Sequence, residues 1–213
     1  AFRRDFSSPV QGVTFSALPP SRRGPSQPGQ SSVRPLTTTT NTTISDKTRI
    51  LYLESPVNPT LELIDLGALR KLADEVNAGR KPERKLLVII DNTFATPFAQ
   101  RPLALGADVV VHSLTKNLGG FGTEVGGAVI CPKSMLASLM MYRKDFGAIL
   151  SAKSAWAILV YGLPTLAVRL KRQQYTARKV AAFLEKQAGV ARVVYPGLAS
   201  FPQRKLAEKQ LVD

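Results

Sequence analysis

A chain of 213 residues, 44% of them hydrophobic, is long enough for one sizeable core, and no apolar run approaches the roughly 20 residues that a membrane-crossing helix needs. One cysteine, Cys131, and one histidine, His112, exclude an internal disulfide, a multi-cysteine metal site and a histidine-rich zinc site. The net charge of +14 raises nucleic-acid binding, but the excess is spread over residues 141–213, with 13 Lys and Arg against 4 Asp and Glu, while residues 48–140 carry 10 against 9.

In chain order, residues 1–47 come first and differ in kind from the rest. They hold Pro19-Pro20, Arg22-Arg23-Gly24-Pro25 and the threonines Thr37, Thr38, Thr39 and Thr40, with no period of 2 or 3.6, and are expected to be disordered or loosely attached. Their Arg and Ser content resembles an organelle transit peptide, although no amphipathic helix is evident. From Thr48 the pattern becomes regular: strand over 49–55, amphipathic helix over 65–76, strand over 86–91 and strand over 107–113, the β/α alternation of a parallel sheet. A further strand is expected over 124–131, broken by Pro132, then a helix over 133–146. Ser151 is a candidate cap for a helix over 152–161, Pro164 opens a long helix to about residue 187, and residues 192–195 read as a short last strand. The basic residues of this back half, among them Arg169, Lys171, Arg172, Arg178 and Lys179, are read as a solvated face, since no zinc-finger, basic-zipper or RNA-recognition signature accompanies them.

Three of these strands end in polar residues. The first runs into Glu54 and Ser55-Pro56-Val57-Asn58-Pro59, the second into Asp91-Asn92-Thr93, and the third into Ser113, Thr115 and Lys116. In a parallel sheet such ends share one edge, where open α/β sheets bind ligands. The amine of Lys116 can form a Schiff base with a carbonyl compound, and the hydroxyls beside it can bind a phosphate, a combination that points to pyridoxal phosphate. An ordinary surface lysine after a strand is the competing reading. Asp91, closing an apolar run, suits a protonated pyridine nitrogen, or alternatively a turn cap. The glycines between Gly119 and Gly127 read equally as a tight turn or a ligand loop, and they do not fit the dinucleotide fingerprint.

The blocks Glu54-Ser55-Pro56-Val57-Asn58-Pro59-Thr60, Asp91-Asn92-Thr93-Phe94-Ala95-Thr96-Pro97 and His112-Ser113-Leu114-Thr115-Lys116, in this order, resemble the Cys/Met-metabolism enzymes that use pyridoxal 5'-phosphate (the trans-sulfuration enzymes). The segments around Gly147 and Tyr195-Pro196-Gly197 look most like the methionine γ-lyase and cystathionine γ-lyase branch. The resemblance runs from about Thr43 to the end. It implies an α/β fold of the aspartate-aminotransferase type (PLP fold type I), with a mostly parallel sheet flanked by helices. It also implies that Lys116 carries the cofactor and moves protons, that Asp91 partners the pyridine nitrogen, that Ser113 and Thr115 contact the phosphate, and that Asn58 lies near the ring hydroxyl. Thr93, like Glu54, lies beside the cofactor or supports the neighbouring loop, and His112 packs on its strand.

The implied activity is γ-elimination on a small-molecule sulfur amino acid in methionine and cysteine metabolism, with γ-replacement of the cystathionine γ-synthase or O-acetylhomoserine sulfhydrylase kind as the alternative, and a catalytically inactive remnant as another. Residues 48–190 are expected to form part of the cofactor-binding large domain and 191–213 the start of a smaller C-terminal one. Residues 1–42 match none of the segment that in the family cradles the phosphate and reaches a neighbouring subunit's cofactor, and Phe121 stands where many relatives have histidine or asparagine. The chain is therefore expected to be a fragment. The resemblance further implies a cytoplasmic protein, with no membrane and no specific nucleic acid as partners, in a homo-oligomer (a tetramer built as a dimer of dimers).

Overall fold

The structure is a computed structural model that describes residues 44–212. A four-stranded sheet is built from β1 (Ile50–Glu54), β2 (Leu87–Asp91), β3 (Val109–Ser113) and β4 (Gly127–Ile130) in that spatial order. β1, β2 and β3 run parallel, with Glu54 opposite Asp91 and Asp91 opposite Val111. β4 pairs antiparallel with β3, Ser113 facing Gly127. The expected alternation is therefore present, and the expected strand over 124–131 is shorter and reversed in direction.

The helix between the first two strands, α1 (Leu66–Asn77), shows why this segment is helical. Asp65 caps it, its Oδ1 accepting the Ala68 N–H at 3.0 Å, and Leu66, Leu69, Leu72 and Ala73 recur on one face. That face packs against Val88 and Ile90 of β2 and Val110 of β3, forming the main core with Leu86 and Ala107. Burial alternates along β2, the signature of one covered sheet face. The opposite face, with Tyr52 and Val129, is about half exposed. An apolar run such as Leu86–Ile90 belongs to a strand meant to be covered on both sides, and only one covering layer is present among the described residues.

The chain continues through α2 (Thr96–Ala99), a π-helical turn (Leu114–Leu118), α3 (Lys133–Phe146), α4 (Ala152–Ala157), a second π-helical turn (Ile158–Gly162), α5 (Leu163–Leu184) and α6 (Arg204–Gln210). Ser151 does cap α4, its Oγ accepting the Ser154 N–H at 3.0 Å. The helix expected over 152–161 ends at Ala157 and gives way to the π-helical turn. No residue of α3 is buried, and Leu136, Met140, Met141, Tyr142 and Phe146 are exposed along it.

One expected element is absent. Residues 192–195 form no strand, because among the described residues no neighbouring strand takes up their backbone donors and acceptors. Tyr195 instead turns its hydroxyl toward the Gln174 carbonyl at 3.5 Å, and the Pro196 carbonyl accepts from Arg204. Residues 198–211 pack on the loop before α1: Leu63 clusters with Phe201 and Ala207, and Gln203 exchanges two 2.7 Å bonds with the Leu63 backbone. Of the segment before the sheet, residues 1–43 lie outside the described residues. Ile44 packs against the core, and Arg80 donates to the carbonyls of Ser45 and Thr48.

Candidate functional site

The parallel pairing of β1, β2 and β3 brings their carboxyl ends to one edge. Asp91 lies at that edge, half-buried, with its two oxygens held differently: Oδ1 accepts the Thr93 N–H at 2.9 Å, and Oδ2 accepts the Tyr52 hydroxyl at 3.4 Å. The first bond is the turn cap expected of an aspartate after a strand. It also anchors the carboxylate, so the cap and a binding role are compatible. Burial, then the charge of Asp91 and its hydrogen bond, then Glu54, push the Tyr52 phenol above its usual range.

Thr93 joins the second strand end to the third, its hydroxyl accepting the Ser113 N–H at 2.8 Å. Asp91, Thr93 and Ser113 thus form one connected set across β2 and β3. Lys116 follows on the π-helical turn, where its φ of −94° and ψ of −134° break the helical geometry. Its side chain is exposed, and its amine has no hydrogen-bond or carboxylate partner among the described residues. Thr115 is employed elsewhere: its hydroxyl accepts the Gly126 N–H at 3.1 Å and faces the Gly126 carbonyl at 3.5 Å, tying the loop after Lys116 to the start of β4. Asn58 sits on the exposed loop after β1, with its backbone N–H donating to Glu54 Oε2 at 3.3 Å.

His112 occupies the buried position expected on β3, 4% exposed, with no hydrogen-bond partner for Nδ1 among the described residues. Burial lowers its pKa, and the nearby Asp91 charge opposes that shift in part. An open groove of about 460 Å³ lies beside the strand ends, lined by Pro56, Leu61, Phe94, Leu170 and Tyr195 among others. None of the six expected site residues lines it.

A family model described as Cys/Met metabolism PLP-dependent enzyme matches residues 34–213. The chain belongs to that family. It is 44% identical over 168 residues to an L-methionine gamma-lyase of Fusobacterium nucleatum subsp. polymorphum, covering 78% of this chain and 40% of the relative. It is 42% identical over 170 residues to a cystathionine beta-lyase of Coxiella burnetii, covering 79% and 42%. Among solved structures, metB from Corynebacterium glutamicum superposes with a TM-score of 0.76 at 36% identity, over 83% of this chain and 44% of that one. The apo structure of CalE6, a methionine gamma lyase from Micromonospora echinospora, gives a TM-score of 0.69 at 35% identity, over 76% and 43%. This chain therefore spans less than half the length of these family members. The fold is that of these PLP-dependent neighbours, as expected from the sequence.

The cofactor that the family implies is pyridoxal 5'-phosphate, and the donor set at the strand ends fits it. An anchored carboxylate, an unpartnered primary amine and a hydroxyl-bearing strand end are the groups needed for a pyridine nitrogen, an aldehyde and a phosphate. Thr115 fits less directly, since its hydroxyl already holds Gly126. Two residues near this site escaped the sequence reading. Tyr52 had a usable signal: it lies two residues before Glu54, hence on the same strand face as Asp91. Arg169 had none, because the site partner that draws it here, the Asn117 carbonyl, lies 52 residues upstream.

Proposed function

We propose that this protein is part of a pyridoxal-phosphate-dependent carbon–sulfur lyase that carries out γ-elimination on a small sulfur amino acid. The observation that carries the proposal is that Asp91 and Ser113 end neighbouring parallel strands, with Lys116 on the turn that follows, in a chain of this family. When bound, pyridoxal phosphate supplies an electron sink for negative charge at the substrate α-carbon.

The chain's own residues divide the remaining work. Lys116 would hold the cofactor through its amine and would serve as the general base and acid that moves protons at the substrate α-carbon. Asp91, its oxygens oriented by Thr93 and Tyr52, would partner a protonated ring nitrogen. Ser113 would offer its hydroxyl to the phosphate, Thr115 would support that contact through the loop it closes, and Asn58, on the loop after β1, would serve the ring hydroxyl. The whole enzyme is read as homo-oligomeric and cytoplasmic. A second reading, γ-replacement, is favoured by a relative named probable cystathionine gamma-synthase from Herpetosiphon aurantiacus, 38% identical over 169 residues.

The test is to mix the chain with pyridoxal phosphate, follow visible absorption, reduce with borohydride and locate the label by peptide mass analysis. Label on Lys116, lost in Lys116→Ala, is the expected result. Label of equal yield on another lysine refutes the assignment.

A further inference from the structure

Lys116 stands at a break in regular backbone, and something must hold that break in one shape. Local bonds do part of this: Gly119 N–H donates to the Leu114 carbonyl at 2.9 Å, and Gly120 N–H donates to the Lys116 carbonyl at 2.8 Å. The next carbonyl, that of Asn117, is held from a distance by Arg169 of α5, whose Nη2 reaches it at 2.9 Å. The same nitrogen reaches the Gly162 carbonyl at 2.9 Å, and Nε donates to the Thr165 hydroxyl at 3.0 Å. The guanidinium also lies over the Phe121 ring, 5.6 Å from its centroid.

Two glycines are shaped to this arrangement. Gly120 has a φ of +83°, and a Cβ there would overlap the Arg169 guanidinium. A Cβ on Gly162 would overlap the carbonyl oxygens of Leu118 and Gly119. Leu118, packed on Leu166 and Leu170 of the same helix, completes the contact. The basic residue expected to lie on a solvated face is instead partly buried and wedged against the turn that presents Lys116.

We infer that Arg169 is a positioning residue for Lys116: its guanidinium clamps the Asn117 carbonyl and Gly120 to α5 and thereby fixes the backbone break from which the lysine emerges. The inference rests on the reading of Lys116 as the cofactor-bearing lysine. A lysine in place of Arg169 keeps the charge but has no planar fork to span Asn117, Gly162 and Thr165 together.

Two measurements on the chain test it, with Arg169→Met and the milder Arg169→Lys as variants. Amide hydrogen exchange should quicken at least about tenfold at Gly119 and Gly120 in both variants, while Val88 and Ile90 in the core keep their protection. Borohydride-trapped pyridoxal phosphate on Lys116 should fall by a similar factor, with the pH midpoint of visible absorption displaced. Unchanged exchange at Gly119 and Gly120 overturns the inference, as does an equal rise at Val88 and Ile90, which marks Arg169 as a general stabiliser. If Arg169→Met fails to fold, Arg169→Lys is read by the same criteria. Trapping that persists in Lys116→Ala refutes instead the underlying assignment of Lys116, whatever the exchange at Gly119 and Gly120.

Discussion

Replacing Gln100 by leucine should cost a large part of the stability of the fold. Gln100 is fully buried at the end of α2, and its amide works in three directions. Its Nε2 donates to the Ser55 carbonyl at 2.8 Å and to Asn92 Oδ1 at 2.9 Å, while its Oε1 accepts from Gln210 Nε2 at 2.9 Å. Leucine has similar volume, so little cavity is created. Two buried acceptors lose a donor, at about 1–3 kcal/mol each, whereas Gln210 retains the Ile64 carbonyl at 2.9 Å. Gain from the added apolar surface offsets about 1 kcal/mol, leaving about 1–5 kcal/mol. With a urea slope of about 2 kcal/mol/M, the midpoint should fall by about 0.5–2.5 M. Urea titration followed by far-ultraviolet circular dichroism measures it. A shift under about 0.3 M at unchanged slope refutes the reasoning and shows that the bonds through Gln100 contribute little net stability.

The imidazole of His112, its pKa lowered chiefly by burial, makes stability fall as pH drops below about 6.5, because the unfolded chain then binds a proton that the folded chain refuses. Urea midpoints between pH 7.5 and 5.5 should slope in the native chain and flatten in His112→Leu, since His112 is the sole histidine; parallel profiles refute this. Asp65→Ala removes the cap on the Ala68 N–H and should cost about 1 kcal/mol, measured as a lowered thermal midpoint, with Asp65→Asn recovering most of it. Gly162→Ala forces a methyl group against backbone carbonyls and should destabilise by about 1–3 kcal/mol, whereas Gly189→Ala, with open space at its Cβ, should stay within about 0.5 kcal/mol by the same denaturation assay.

What could be read from the chain were its local features. Asp65 followed by leucines three apart predicted α1, and three apolar runs closing on polar residues predicted a shared sheet edge with Asp91 and Ser113 on it. Those signals are short-range and repeat with the period of the backbone. The features that escaped depend on partners distant in sequence. Gln100, Asn92 and Gln210 look like ordinary polar residues, yet bonds across gaps of up to 146 residues make them one buried network. Residues 192–195 have the composition of a strand but find no strand beside them among the described residues, and Arg169 reads as a solvent-facing cation until α5 is laid against the turn after Lys116. Thr115 was assigned by motif alone, which does not reveal that Gly126 already engages its hydroxyl.

The antiparallel strand β4 has a further consequence for handling the protein in solution. It is the last strand of the sheet among the described residues, and Val129 and Ile130 on it are 54% and 40% exposed. A short apolar edge of this kind is a template on which another chain can add a strand. At low salt, mutual repulsion from a charge of +14 opposes such encounters. Raising the ionic strength shortens the reach of that repulsion to a few ångströms while leaving the edge unchanged, so added salt should drive self-association, the reverse of its effect on a chain held to a polyanion by charge.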